Sequence, residues 1–455
     1  MKTIKRLTLA AAFLSLTACD SMLEMSPISQ IVAQNFWQTA GDAEAGLMNM
    51  YNFLQAPVTQ NVIIVPSVMG DDGRAVSGGN FTRHEAFTVQ PGQGNVSDFW
   101  RDYYFAVHAA NDVLANVPAI NDPALAKDRV LGEAYFGRAL AFFHLTRLYG
   151  KIPLPLQPSK SSAQDFQLKR SEVADVYRQI IADLLEAEKL LPVQHTNRAR
   201  AAKGAARGWL AKVYLQRGAQ GDFDLALKEC EEVMADSQYR LVAGASYADL
   251  FAAGRQNTPE TLFEISYRPS TAVEGHGLDR ETVPFSGSAY RLAPENKLMQ
   301  AFAASTGDGR AAISVATFNN RNYTRKYEQG PPTTTNRGTQ TSNVVLLRLA
   351  DIVLLRAECL NELGRTAEAI PFLNQIRTRA GLAPTTATTQ AALRLAIENE
   401  RYLELCLEGH RWYDLVRWNK AVGTIPGLTN PDFILWPVPT REIDLNPNLD
   451  QNKGY

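Results

Sequence analysis

The stretch LRLAIENERYLELCLEGHRWYDLVRW, residues 393–418, decides how the chain folds. Leu393, Ile397 and Tyr402 recur at helical spacing and give the stretch an apolar side. Several charged residues fall close to that side rather than opposite it, notably Arg401, Glu404, Glu408 and Arg411. Because an unpaired buried charge is costly and guanidinium groups clamp carboxylates, we predict that these four pair with each other as an ionic lattice between packed elements.

Two further segments of the chain align with each other as repeats. RGWLAKVYLQRG followed by DFDLALKECEEVM matches LLRAECLNELG followed by TAEAIPFLNQIR. Small alanines such as Ala211 and Ala357 allow paired helices to approach, and Gly218 and Gly364 end the first helix of each pair. The chain is therefore predicted to be mostly α-helical, with tetratricopeptide-like units near 129–150, 171–191, 205–236 and 348–380.

Two regions lack helical periodicity and are predicted to carry the ligand site. One is the glycine-rich stretch at 71–94, and the other is an irregular excursion at about 255–345 that leaves the repeat scaffold. Both contain aromatic and polar side chains suited to a neutral or weakly charged oligosaccharide. The candidate ligand residues are Arg74, Asn80, Phe81, His84, Tyr290, Arg291 and Tyr323. We expect the aromatic rings to stack on sugar faces and the polar groups to bind hydroxyl edges.

The N-terminus carries the signals of a lipoprotein. Residues 1–18 combine a positive head, a short apolar run and a lipobox that ends at Cys19. Residues 19–455 are then expected to form one mature domain, attached to the membrane by acyl chains on Cys19. The apolar run is about half the length needed to cross a bilayer, so attachment rather than spanning is predicted.

Composition and motifs exclude several functions. The net charge of -1 provides no basic field for nucleic acid. No catalytic, cofactor or metal-ligand motif is present, and the six histidines are scattered, so we predict neither an enzyme nor a metal or cofactor site. Glu400, Glu404 and Glu408 lie along one helix edge, whereas a glycosidase needs two carboxyls on opposed sides of its substrate. An exported hydrolase would have to use Asp71 with Asp72, the acidic cluster of the loop region.

Several motifs, in order, resemble the SusD/RagB-like lipoproteins. They are RLADIVLLRAECLNELG at 348–364, LNQIRTRAGL at 373–382, ERYLEL at 400–405, LEGHRWYDLVRW at 407–418 and WPVPTREIDLNPNLDQNKGY at 436–455. The resemblance implies an α-superhelical fold and an outer-membrane lipoprotein of a Bacteroidota-type bacterium, facing the cell exterior. It implies capture of an oligosaccharide, or less often a peptide, and delivery to a SusC-like TonB-dependent transporter barrel. A tetratricopeptide adaptor that binds a partner peptide between its helices remains an alternative.

Overall fold

The structure is a computed structural model that describes most of the chain. The described residues are 36–159, 167–252, 254, 256–267, 275–328, 330, 332–333 and 342–455. The signal at 1–18 and the lipidation site Cys19 lie outside them, so both stay predictions.

The described chain is mainly helical, as predicted. The first group of α-helices is α1 Ala40–Gln55, α2 Val65–Met69, α3 Gly79–Glu85, α4 Gly94–Asn116, α5 Lys127–Tyr149, α6 Val173–Leu190, α7 Lys203–Arg217 and α8 Asp222–Ala235. The excursion contributes α9 Leu278–Thr282, α10 Asn296–Ala304 and α11 Ala311–Ser314. The last group is α12 Leu349–Glu362, α13 Thr366–Arg379, α14 Gln390–Glu404, α15 Arg411–Arg417, α16 Ala421–Thr424 and α17 Thr440–Leu445.

Short strands join distant parts of the chain in antiparallel pairs. They are β1 Gly73–Ala75, β2 Thr261–Ile265, β3 Leu292–Pro294, β4 Ala316–Phe318, β5 Arg321–Tyr323 and β6 Val344–Arg348. The pair β2–β6 closes the base of the excursion, and β4–β5 forms a hairpin within it. The pair β1–β3 joins the excursion to the glycine-rich segment at 71–94. The two regions that the sequence proposed for the ligand site are therefore neighbours.

The repeat helices stack in chain order until the excursion interrupts them. Helix α5 packs on α6, α6 on α7, and α7 on α8. Helix α8 then packs on α12, which pairs with α13, so the repeat stack continues across the base of the excursion. Gly218 caps α7 in the left-handed conformation (φ +64°), the geometry in which glycine ends a helix at least cost. Helices α7 and α8, and likewise α12 and α13, therefore pack as neighbouring pairs.

One apolar cluster extends from Ala43 in α1 to Leu449 near the C-terminus. The repeat alanines Ala211 and Ala357 are fully buried. Within the described ranges, every helix falls short of the length or apolar character required to cross a membrane.

Candidate functional site

The ionic lattice centres on Glu404 at the end of α14 and on Glu408 in the turn that follows. Both carboxylates are buried. Arg348, where β6 meets α12, lies 2.5 Å from Glu404 and 2.8 Å from Glu408. Arg310 and Arg379 also pair with Glu404, and Lys326 lies 2.6 Å from Glu408. Residues from the excursion and from the repeats therefore share the same two carboxylates.

The lattice differs from the prediction in one respect. Arg401, Glu404, Glu408 and Arg411 were expected to pair with each other, but each pairs with a residue from elsewhere in the chain. Arg401 binds Asp351 of α12 at 2.7 Å and Asp414 of α15 at 2.9 Å. Arg411 binds Asp71, which precedes β1. Arg401 and Glu404 lie on α14, Glu408 lies in the turn that follows, and Arg411 begins α15, so the four side chains approach different parts of the packed structure.

The local electrostatics keep the central carboxylates ionised. Burial alone would raise the pKa of Glu404, but Arg379, Arg348 and Arg310 hold it well below its usual value. Burial acts in the same direction on Glu408, and Arg348 and Lys326 lower its pKa to about 2. Carboxylates that are inaccessible and saturated by cations cannot exchange protons with a substrate near neutral pH. The buried ion pairs of Glu404 and Glu408 hold packed elements together.

The lattice also fixes the root of the glycine-rich segment. The Tyr402 hydroxyl donates to the Asp71 carbonyl at 2.8 Å, and the Leu407 amide donates to Asp72 Oδ2 at 2.7 Å. Asp72 is fully buried, and burial raises its pKa to about 7. The acidic pair that a hydrolase would have to use is therefore committed to packing contacts rather than open to a substrate.

From this root, β1 leads into a surface shared with the excursion, which we call the loop surface (residues 73–85 and 278–323). Arg74 pairs with Ala293 in the β1–β3 register. The Val76 amide donates to the Arg291 carbonyl at 2.9 Å, and the Ser77 hydroxyl donates to the Ala289 carbonyl at 2.9 Å. The predicted proximity of the two candidate segments is thus a consequence of strand pairing and turn contacts.

The aromatic rings proposed as sugar platforms are packed rather than open. Phe81, Tyr290 and Tyr323 keep only 4%, 6% and 6% of their surface exposed. Tyr290 and Tyr323 belong to a small apolar cluster with Phe285, separate from the main core. This corrects the expectation that the rings offer free faces. An aromatic side chain gains more by burial under its own loop than by exposure in water.

His84 also has a packing role in the structure. Its side chain is fully buried, its Nε2 lies 2.6 Å from the Asn95 amide nitrogen, and its ring lies 4.5 Å from that of Trp436. Burial lowers the pKa of His84 to about 3, so the imidazole is neutral at physiological pH. His84 thus tethers the end of α3 to the start of α4 and does not face a ligand.

The remaining three candidates stay accessible. Asn80 is exposed at the start of α3, and Arg74 is half-buried with its Nε making no hydrogen bond to any described residue. The Arg291 side chain is 34% exposed, lies 5.7 Å from the Phe81 ring centre and binds Glu281 at 2.9 Å. Together they supply one amide and two guanidinium groups to the loop surface.

The sequence reasoning missed two residues that contribute to this surface. Arg321, at the start of β5, places its guanidinium 5.6 Å from the Tyr290 ring centre. Phe318, at the end of β4, packs against the small cluster while remaining half-exposed. The available sequence signal was the pair Asn319-Asn320, because asparagine is favoured in hairpin turns. In the structure, both residues have positive φ between the two strands.

The sequence reasoning also missed most partners of the lattice. Arg310, Lys326, Arg348, Asp351 and Arg379 lie up to about a hundred residues from the stretch that they neutralise. A basic or acidic residue inside an apolar run, such as Asp351 in RLADIVLLRA, was the available signal. Across the described ranges, no three histidine, cysteine or acidic side chains are grouped so that they could hold a metal ion.

A stack of helical repeats that carries a polar loop surface is typical of a binding protein. Comparison with known proteins identifies the family. A model described as the SusD family matches residues 281–431, and one described as starch-binding associating with outer membrane matches residues 23–215. SusD-like protein P2 of Formosa agariphila is 30% identical over 99% of both chains. The chain belongs to the SusD/RagB-like family.

Solved structures show the same fold. A SusD homologue from Bacteroides thetaiotaomicron superposes with a TM-score of 0.83 at 22% identity, covering 93% of this chain and 98% of its own. A laminarin binding SusD-like protein superposes with a TM-score of 0.81 at 24% identity, covering 92% of this chain and 100% of its own. The predicted fold class is thereby confirmed.

Proposed function

We propose that this protein captures an oligosaccharide at the cell surface and delivers it to a SusC-like TonB-dependent transporter in the outer membrane. The loop surface carries the proposal. Arg74, Asn80 and Arg291 lie on the two segments that the β1–β3 strand pairing joins, and the lattice holds the root of the first segment through Tyr402. Amide and guanidinium groups of this kind donate hydrogen bonds to the hydroxyl oxygens of a sugar.

Two further observations support a carbohydrate ligand. One matching family model is described as starch-binding, and one structural neighbour is described as laminarin binding.

Tyr290 holds φ +39°, a conformation rarely adopted by aromatic residues, and its hydroxyl donates to the Asn322 carbonyl at 2.6 Å. Backbone strain of this kind is concentrated at functional sites, where the surrounding structure holds it in place.

A glycan panel tests the ligand class directly. Calorimetry with neutral and acidic oligosaccharides should find one class that binds in the micromolar to millimolar range, about 4 to 8 kcal/mol. If only peptides bind, the proposed ligand class changes from oligosaccharide to peptide, and the family assignment still holds. Release of shortened sugars by the pure protein would instead show a hydrolase, since we propose binding without turnover.

Membrane attachment is proposed to depend on Cys19. Cys19→Ala should release the protein into the soluble fraction, because acyl chains on that residue supply the anchor. Membrane pelleting followed by a salt wash measures the release, and Cys230→Ala, a buried thiol inside α8, serves as the matched control. A Cys19→Ala protein that still pellets after the wash would overturn the lipid anchor.

The outer-surface position and the transporter partner are tested in cells. Protease added to intact cells should digest the wild-type protein, and full protection would place it in the periplasm. Affinity purification from detergent-solubilised membranes should recover a TonB-dependent barrel. Recovery of the protein without any barrel, under conditions that keep outer-membrane complexes intact, would contradict the proposed delivery step.

A further inference from the structure

A cavity of about 470 Å³ opens between α4 and the C-terminal helix α17. One wall carries Trp100, Tyr104, Phe105 and His108 from successive turns of α4, and α17 supplies Glu442 to the other. The volume lies in the range of ligand pockets in proteins. Every described residue that lines the cavity lies outside the loop surface.

The aromatic wall of this cavity is fixed and partly open. The Trp100 and Tyr104 rings lie 5.0 Å apart, and the Tyr104 hydroxyl donates to the Pro153 carbonyl at 2.8 Å, which fixes its ring. Phe105 rests against Phe53 with 5.0 Å between ring centres, yet 43% of Phe105 is exposed. An exposed ring beside fixed aromatic neighbours provides an apolar platform for a ligand.

Three side chains of the cavity offer hydrogen-bonding atoms without a partner among the described residues. The side chains of Asp112 and Glu442 make no hydrogen bond or ion pair there, and burial raises the pKa of both carboxyls. His108 Nδ1 is buried without a hydrogen bond to any described group. Because burying a polar atom without a partner is costly, a ligand group that hydrogen-bonds to His108 Nδ1 would be favoured, and the two half-buried carboxyls add acceptors to the lining.

The charges around the cavity favour a neutral ligand. Arg101 is already neutralised by Asp98 at 2.8 Å and by Asp102 at 2.7 Å. Arg441 lies near Glu442, so the lining holds charges of both signs. An apolar peptide segment would cover the rings but leave the two carboxyls unpaired, whereas sugar hydroxyls would satisfy them.

We propose that this cavity is a second carbohydrate-binding site that takes a neutral oligosaccharide. The inference rests on the proposed function for its ligand class and adds a second place of contact. Sugar rings stack on Phe105, and their hydroxyls donate to Asp112 and Glu442.

Calorimetric stoichiometry tests the second site. The probes are maltohexaose and laminarihexaose, and the wild-type protein should bind two molecules of at least one of them. Phe105→Ala and Glu442→Gln should each reduce the stoichiometry to one and leave the remaining dissociation constant within twofold. Phe223→Ala removes another partly exposed phenylalanine, at 37% exposure on α8, and should leave both sites intact.

The outcomes separate this inference from the proposed function. Two sites retained in both pocket variants would overturn the second site while leaving the loop surface in place. A single wild-type site that Glu442→Gln weakens more than tenfold would support the cavity and contradict the loop surface. No binding of either probe by the wild-type protein would overturn the inference, and the wider glycan panel would then decide the proposed function separately.

Discussion

The lattice around Glu404 and the loop surface around Tyr290 use the same residue types in opposite ways. In the lattice, the side chains of Arg310, Arg348 and Arg379 are at most 6% exposed, and each faces at least one carboxylate. On the loop surface, Asn80 is exposed, Arg74 is half-buried, and Arg291 remains partly exposed although it binds Glu281. The first arrangement uses all its charges for packing, and the second leaves hydrogen-bonding capacity for a ligand.

The comparison separates stability from binding within one connected network. Asp71 and Asp72 link the two regions, because they contact the lattice stretch directly and β1 begins at the next residue. A substitution in the lattice should therefore change stability first and binding only as a consequence. A substitution of an exposed loop residue such as Asn80 should change binding and leave unfolding unaffected.

The largest expected effect comes from Arg348→Ala. It removes a partner from the three buried carboxylates of Glu260, Glu404 and Glu408, and breaking a buried ion pair from one side costs about 3 to 5 kcal/mol. Chemical denaturation should show that loss in the free energy of unfolding. The matched control is Arg178→Ala, whose pair with Asp175 is exposed on α6, and its unfolding curve should overlay the wild type. Equal stability of the two variants would contradict a stabilising lattice.

Asp72→Asn should change how stability depends on pH. The folded pKa of about 7 lies above the ordinary value of 3.8, so the folded state retains a proton that the unfolded state has lost. The stability that Asp72 contributes is complete below pH 4 and declines as the pH rises to 7, by at most about 1.4 kcal/mol per pH unit. Asparagine keeps an acceptor for the Leu407 amide and does not titrate.

Melting temperatures of the wild type and Asp72→Asn, measured from pH 4 to pH 8, check this prediction. The melting temperature of Asp72→Asn should rise relative to that of the wild type as the pH increases to about 7. Above that pH, the difference between the two melting temperatures should remain constant. A difference that does not vary with pH would show that Asp72 has the same protonation state in the folded and unfolded chains.

A smaller effect is expected on the loop surface. Asn80→Ala and Arg291→Ala each remove hydrogen-bond donors to the ligand, and each should weaken oligosaccharide binding about tenfold, or about 1.4 kcal/mol. Arg291→Lys keeps the charge and should lose less. Calorimetry measures the affinity, and Arg178→Ala again serves as the control. Wild-type affinity in both alanine variants would place the ligand elsewhere on the molecule.

The fold was largely predictable because it follows from local patterns. Repeat units can be predicted from helical spacing, from small residues at helix contacts and from glycines such as Gly218 at helix ends. The charges at 393–418 were predicted to be buried because they fall close to the apolar side of a local helical pattern. Their partners were not predictable, because Arg348 and Asp351 approach Arg401 and Glu404 only after distant helices have packed.

The proximity of the two candidate segments was predictable, but the exposure of their side chains was not. Composition identified the segments that β1 and β3 join, and of the residues that it proposed, Asn80 and Arg291 are accessible. Composition could not distinguish an exposed aromatic ring from a packed one. Phe81 and Tyr290 were therefore expected to offer free ring faces, although both rings are buried. Phe105 was overlooked because a single phenylalanine on a helix is ordinary surface composition until neighbouring elements form a cavity around it.

Hydrogen–deuterium exchange with and without a bound oligosaccharide tests the central claim most directly, because it locates the ligand without altering the chain. The account predicts that amides in peptides covering 74–85 and 286–323 become protected, while those around Glu404 exchange slowly in both states. Protection confined to other parts of the chain, with both loop segments unchanged at saturating ligand, would contradict the claim that the loop surface captures the ligand.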